Sequence, residues 1–392
     1  MGALSARRLL FALCLPGCLL GSGTGWASQA RGEVAVIAGS AAGRTAKAPV
    51  ADGVNEPFAV AFDVSGTLYG VEYTRGNRLF RIERPGEVGA AARVEFVAGT
   101  FWQPEPKQPL PPQTTTDPRQ VRFHGPHDVA VAADGTVYVA DTFAHRIWAF
   151  DPRAAALRVE AGTGEAGFSG DGGPAVAARF RQAYCGSLTP DGGALLVADI
   201  GNARLRRIDL ATRTVSTIVG SGVPGRPVDG AAPLETPLAG PRAACMAADG
   251  TIYLALREGN ALVEIKGKGG RVGDTVRVVV NTSGKPGYSG DGGPAAEARL
   301  AGPKYVSLDR QGRVLIADTE NHCIRRYDPA SGTIDLVAGV PGHAGAAVGS
   351  DLLATQLQRP HGCCLDPQGR LVIADSDNDR ILAGAIIDSG RR

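Results

Sequence analysis

Six positions in this chain share one local frame, and most carry side chains able to do chemistry: Phe58, His127, Tyr184, Arg242, Lys304 and His361. Each follows Pro57, Pro126, Pro241, Pro303 or Pro360, with Ala183 in place of the third proline, at the head of a short apolar strand. All but Phe58 can hydrogen-bond or carry charge. Gathered around one opening they would make a polar, cation-rich pocket for a small ligand or an acidic group. The imidazoles of His127 and His361 could then approach one point above Phe58.

What would bring such distant residues together is a repeat. The same frame carries Glu72, Asp141, Asp199, Leu256, Asp318 and Asp375, about sixty residues apart, a regularity that signals stacked supersecondary units. In the second copy Pro126-His127-Asp128-Val129-Ala130-Val131 reads as a strand and Ala133-Asp134-Gly135 as a hairpin turn. Thr136 to Ala140, His145 to Phe150 and Leu157 to Glu160 supply three more strands. Four antiparallel strands per unit, six times over, with no sustained helical periodicity, predict an all-β six-bladed propeller.

Each blade's outer strand ends in Ala-Gly or a variant of it, and the sixth such segment lies at the other end of the chain, in Val34-Ala35-Val36-Ile37-Ala38-Gly39. The N-terminal strand is therefore expected to complete the last blade and close the ring, leaving no long unpaired edge. Strands that start at the prolines put the incoming linkers and the turns after Ala-Asp on one face. The Asp-Gly turns open on the other.

Other features read as structural. The Ala-Asp carboxylates can accept backbone N–H groups and pair with an Arg two to five residues on, and Leu256 breaks any six-carboxylate metal ring. The linkers with Ser-Gly-Asp-Gly-Gly-Pro at 169–174 and 289–294 lack a phosphate-loop lysine and a following helix. They read as rim-to-hub turns whose Asp171 and Asp291, with Asp229, could add carboxylates to the binding face. Asn281-Thr282-Ser283 is a glycosylation sequon.

Residues 1–30 combine Arg7-Arg8, a short apolar run and a Ser28-Gln29-Ala30 ending, the parts of a secretory signal. The expected destination is secreted or periplasmic, with a lipid on Cys18 as the alternative. Beyond this segment acidic and basic residues balance, which argues against a broad nucleic-acid footprint. Cys185, Cys245, Cys323, Cys363 and Cys364 show no CxxC spacing and read as small buried hydrophobes, with Cys185 and Cys245 the first pair to test for a disulfide.

The segments Tyr138-Val139-Ala140-Asp141-Thr142, Val197-Ala198-Asp199-Ile200-Gly201-Asn202-Ala203-Arg204 and Ile316-Ala317-Asp318-Thr319-Glu320-Asn321 resemble the NHL repeat family. This resemblance implies a six-bladed propeller and leaves function open. The chain is also similar to the peptidyl-hydroxyglycine amidating lyases, propellers in which three Pro-His starts on alternate blades hold zinc. Pro126-His127 and Pro360-His361 match, which makes both histidines the metal ligands that this resemblance implies, whereas Pro241 is followed by Arg242, so a three-ligand zinc would need His124 or a carboxylate as well. That resemblance implies a proton-transferring tyrosine near Tyr73. Lactonase propellers, which bind calcium through an acid and asparagines, make Glu72 and Asn260 candidates.

The sequence thus predicts one propeller over residues 31–392, expected to be a monomer, that binds a small-molecule or protein partner at its central-channel face. The alternative is a metal-dependent lyase or hydrolase using zinc or calcium on His127 and His361. In it Tyr73 or Tyr184 would transfer protons and Arg242 would hold a substrate carboxylate.

Overall fold

Blade two shows how the sequence makes one unit. Val129, Val131, Val137 and Val139 favour strand, and Gly135 takes the left-handed turn position at φ 91° while Thr136 N–H bonds the Asp134 carboxylate at 2.8 Å. The computed structural model describes residues 33–40, 53–83, 85, 93–102, 117–267 and 272–387. The secretory segment, Cys18 and the Cys185 side chain lie outside what it describes.

Six antiparallel sheets are arranged in ring order, with inner strands Pro57–Phe62, Pro126–Val131, Ala183–Leu188, Pro241–Met246, Tyr305–Leu308 and Gly362–Leu365. The last two begin two residues later than their prolines. Lys304 and His361 still donate their N–H groups to Ala317 and Ala374 of the next strand. The fifth sheet gains a two-residue fifth strand, Gly293–Pro294, which pairs with Thr333–Ala338. Among the described residues the helical elements are three-residue 3-10 turns.

The ring closes as the sequence predicts. Ala35–Ala38 pairs antiparallel with Arg380–Gly384 and becomes the outer strand of blade six. Ile37 and Ala38 are buried with Ile381, Phe80 and Val60, so this strand joins blade six to blade one.

Neighbouring blades are latched by a second, unpredicted device. The residue before each proline, or before Ala183 in blade three, is left-handed: Glu56, Gly125, Gln182, Gly240, Gly302 and Arg359 have φ of 45° to 67°. Five of these N–H groups are captured by a side chain of the preceding blade, itself on a left-handed residue. The acceptors are Asp379 Oδ1 for Glu56, Asn77 Oδ1 for Gly125, His145 Nδ1 for Gln182, Asn260 Oδ1 for Gly302 and His322 Nδ1 for Arg359, at 2.7 to 3.1 Å. The sixth position is Ala203, which has no acceptor to offer.

Because His145 and His322 accept through Nδ1, they are neutral with the proton on Nε2, and protonation breaks the latch. Burial lowers both pKa values below the ordinary 6.5. Their contribution is therefore complete above the unfolded value and is lost as pH falls through the folded one. A His145→Asn/His322→Asn variant keeps an acceptor, as at Asn77 and Asn260, but does not titrate. Thermal unfolding from about pH 8 to about pH 4 should show it gaining on the wild type by about 1 kcal/mol per latch at the acid end. Parallel pH profiles would contradict the latch.

The strand-end acids are structural, as expected. Glu72 meets Arg78 at 2.6 Å and Asp375 meets Arg380 at 2.7 Å. The partner arginines stand five to seven residues on, further than the two to five expected, because the turn and its left-handed residue intervene before the returning strand. Asp141 is the exception, bonded by Trp148 Nε1 and the His124 N–H; with no cation in contact, burial raises its pKa to about 7.

Several other candidates are corrected. Asp171 and Asp291 bind Arg206 and Arg325, at 2.8 and 2.6 Å, and Asp229 accepts the Val278 N–H, so none faces the hub opening. Asn281 is buried, with its amide bonded to the Asn260 and Lys285 carbonyls, which closes it to glycosylation. Glu72 is held by Arg78 and Asn55, and Asn260 by its latch, so neither is placed to bind calcium. Cys245, Cys323 and Cys363 are buried free thiols, and Cys364 is a half-buried one.

Candidate functional site

Two repeat positions surround the hub opening, and the blades obey a size rule at both. Where the left-handed residue is glycine, the side chain two places after the strand-end acid position lies across it. A Cβ at Gly125, Gly240 or Gly302 would collide with Phe143, Glu258 or Glu320. Where that residue is Glu56, Gln182 or Arg359, the facing residue is the smaller Thr74, Gly201 or Asp377. A side chain in this backbone region costs on the order of 1 kcal/mol, so three blades accept strain to put one there.

A second rule is broken at the site. Thr142, Thr319 and Ser376, one place after the acid, bridge to the next blade through their hydroxyls, bonding the carbonyls of Ala183, Pro360 and Pro57 at 2.6 to 2.8 Å. Blades one, three and four carry Tyr73, Ile200 and Arg257 instead, and all three line the opening.

The resulting cavity holds about 400 Å³ and is lined by every residue the sequence singled out at the hub: Phe58, Tyr73, His127, Tyr184, Arg242, Lys304 and His361. The ring brings them together from across some three hundred residues of chain. Sequence reasoning missed Glu56, Gln182, Arg257 and Arg359, which also line it. Their signal was present as the residue before each proline, or before Ala183, and the residue after each strand-end acid position, held by Leu256 in blade four, positions where other blades use glycine or a hydroxyl. His124 is not part of the lining; it packs against Trp102 and Phe143.

The lining is divided by blade. Blades one to three contribute a packed aromatic wall. Phe58 stacks on Tyr73 at 4.2 Å and on His361 at 3.8 Å, while His127 lies 4.3 Å from Tyr73 and 3.9 Å from Tyr184 between ring centres. Blades four to six contribute Arg242, Arg257, Lys304 and Arg359. Among the described residues Glu56 is the one carboxylate in the lining. Glu258 braces Arg242 and Arg257 at 2.9 and 2.8 Å, and Glu320 braces Arg359 at 2.9 Å and Lys304 at 3.6 Å, both from outside the lining. The buried Nε atoms of Arg242 and Arg257 have no protein acceptor.

Tautomers follow from the partners. His127 Nδ1 is 2.8 Å from the Gly125 carbonyl and His361 Nδ1 is 2.8 Å from the Arg359 carbonyl. A carbonyl only accepts, so both Nδ1 atoms carry protons and both Nε2 atoms hold lone pairs. Lys304 Nζ donates to that of His361 at 2.8 Å. Burial, reinforced for His361 by Lys304 and Arg359, pushes both imidazoles well below their usual range and keeps them neutral. Burial, then the Arg359 charge, lowers Lys304 to about 7, opposed by Glu320. Burial pushes Tyr184 up to about 12 and Tyr73 higher, so both phenols stay protonated.

This donor set does not fit a zinc or calcium ion. The lone pair of His361 is taken by Lys304, the place of a third histidine is held by Arg242, and guanidinium groups offer a metal no lone pair. Among the described residues no group of three His, Cys, Asp or Glu is disposed to hold a metal.

Comparison with known proteins agrees with the fold. The model of the NHL repeat matches residues 123–150, 300–327 and 357–383, in blades two, five and six. NHL repeat-containing protein 2 of Bos taurus is 25% identical over 283 residues, 66% of this chain and 38% of that protein. Peptidyl-glycine alpha-amidating monooxygenase A of Xenopus laevis is 32% identical over 91 residues, 23% of this chain and 9% of that protein. The chain spans at most 38% of the length of the curated relatives it matches. Among solved structures, an auxiliary nutrient binding protein from Bacteroides ovatus ATCC 8483 superposes with a TM-score of 0.61 at 15% identity, over 92% of this chain and 78% of that one.

Proposed function

We propose that this NHL-repeat propeller is a binding module whose hub cavity takes a small anionic ligand. The observation that carries the reading is the lining itself: Arg242, Arg257, Lys304 and Arg359 on three consecutive blades, one carboxylate among the described lining residues, and Nε atoms of Arg242 and Arg257 without a protein acceptor. Arginine and lysine converging in a half-buried cavity suit a carboxylate or phosphate, through charge-assisted hydrogen bonds. The volume fits a small molecule or the end of a peptide. The secretory pattern of residues 1–30 supports a reading in which this binding takes place outside the cytoplasm.

The metal-dependent lyase or hydrolase reading draws on the same His127 and His361 with Tyr73 beside them, and on the similarity to the amidating enzyme. It requires a donor set that these residues do not present.

Lys304 makes the binding reading testable by pH. A bound anion favours the ammonium, so affinity is highest below about 7 and falls as pH rises and the lysine loses its proton. Lys304→Met should weaken carboxylate or phosphate binding about tenfold at about pH 6 and flatten the pH profile, as read by titration calorimetry. A metal assay on the same preparation should find no stoichiometric zinc or calcium. A wild-type profile as flat as the variant's, or one metal per chain lost in His127→Ala, would overturn the reading.

A further inference from the structure

The charges of the cavity do not alternate around the ring; they segregate. Arg242, Arg257, Lys304 and Arg359 lie on blades four, five and six, while Phe58, Tyr73, Phe143 and Tyr184 lie on blades one, two and three. A symmetric anion such as phosphate would use only the first half. Two halves of different chemistry facing one volume of about 400 Å³ match a ligand that is itself two-ended.

We infer that the ligand is an aromatic carboxylic acid, seated with its carboxylate on the guanidinium side and its ring against Tyr73, Phe143 and Tyr184. This rests on the anion-binding reading and narrows it. Planar guanidinium groups pair with a carboxylate in parallel, and an aromatic wall favours offset or edge-on packing of a ring over an aliphatic chain. Arg242 already lies over the Tyr184 ring, 4.8 Å from its centre, which marks the seam between the halves.

The backbone identifies which lining residues serve the ligand rather than the fold. At the position before the inner strand, Gly125, Gly240 and Gly302 show that the ring needs no side chain there. Glu56, Gln182 and Arg359 hold the same left-handed backbone without that freedom, and each projects into the cavity. Strain kept where glycine serves equally well in sister blades points to a role in recognition. Arg359 sits in the cationic half and clamps the carboxylate. Glu56 and Gln182 flank the aromatic half, where they accept or donate hydrogen bonds to polar substituents on the ring.

The test is titration calorimetry on the full chain with benzoate, phenylacetate and indole-3-acetate, against acetate, inorganic phosphate and the neutral amides of the aromatic acids. The expected result is at least one aromatic acid binding tenfold or more tightly than acetate, phosphate and its own amide. Arg359→Gly should lose tenfold or more of that affinity while keeping its melting temperature, since it restores the residue used in blades two, four and five. Acetate or phosphate binding as tightly as every aromatic acid would overturn the ligand class and leave the anion reading standing. Binding of none of these anions would overturn both. Undiminished affinity in a folded Arg359→Gly protein would overturn the role given to Arg359.

Discussion

Deleting residues 31–40 should leave a chain that no longer melts as one cooperative unit. The loss removes the strand Ala35–Ala38 and with it the burial of Ile37 and Ala38 against blades six and one. One large apolar side chain leaving a core costs about 1.5–3 kcal/mol, and the exposure of Ile381, Leu382 and Phe80 adds to it. The sum is a large part of the roughly 5–15 kcal/mol that holds a domain together. It also bares the strand Arg380–Gly384 as an unpaired edge, so association should accompany the loss of stability. Circular dichroism melting and light scattering read both effects. An unchanged melting temperature and a monodisperse truncated protein would refute closure by this strand.

The second large effect lies at the root of the last blade. Asp375 and Arg380 are both fully buried, 2.7 Å apart, and Asp375 also accepts the Gln358 N–H and the Asn378 amide. Asp375→Ala strands a buried guanidinium and two donors, a defect that costs about 3–5 kcal/mol. Blade four shows that the pair itself is dispensable. There Leu256 stands in the acid's place and Ala261, its partner in the register, stands in the arginine's, both buried. Removing one partner is therefore expected to harm the protein far more than the absence of both, because only the first leaves charge uncompensated. Denaturant unfolding of Asp375→Ala against Asp375→Leu/Arg380→Leu tests this; equal losses in the two variants would contradict it.

The architecture was legible because each level of the sequence agrees with the next. Strand-forming valines, Asp-Gly turns and the period of the strand-end acids all demand four-stranded blades, and the displaced sixth outer strand demands ring closure. The hub residues were legible for the same reason, since the position after each proline points to one axis. What escaped was carried by conformation rather than by residue type. Glutamate at 56, glutamine at 182 and arginine at 359 look like ordinary linker residues until their φ values show them in a glycine position. The inter-blade latches were equally hidden, because His145 and His322 read as polar turn residues and their partners lie thirty-seven residues further on. Asp171, Asp291 and Asn281 misled in the opposite direction: motifs that suggest free surface chemistry were consumed by ion pairs to Arg206 and Arg325 and, at Asn281, by buried amide hydrogen bonds.

The central claim is that a closed ring gathers a cationic half and an aromatic half around one anion site. Crystals soaked with 4-bromobenzoate test it most directly, because the bromine is located by its own anomalous signal. The account predicts one ligand at the hub, its carboxylate among Arg242, Arg257 and Arg359 and its bromine toward Tyr73 and Phe143. Density for a metal ion held by His127 and His361, or a ligand lying with its bromine against the arginines, would contradict it.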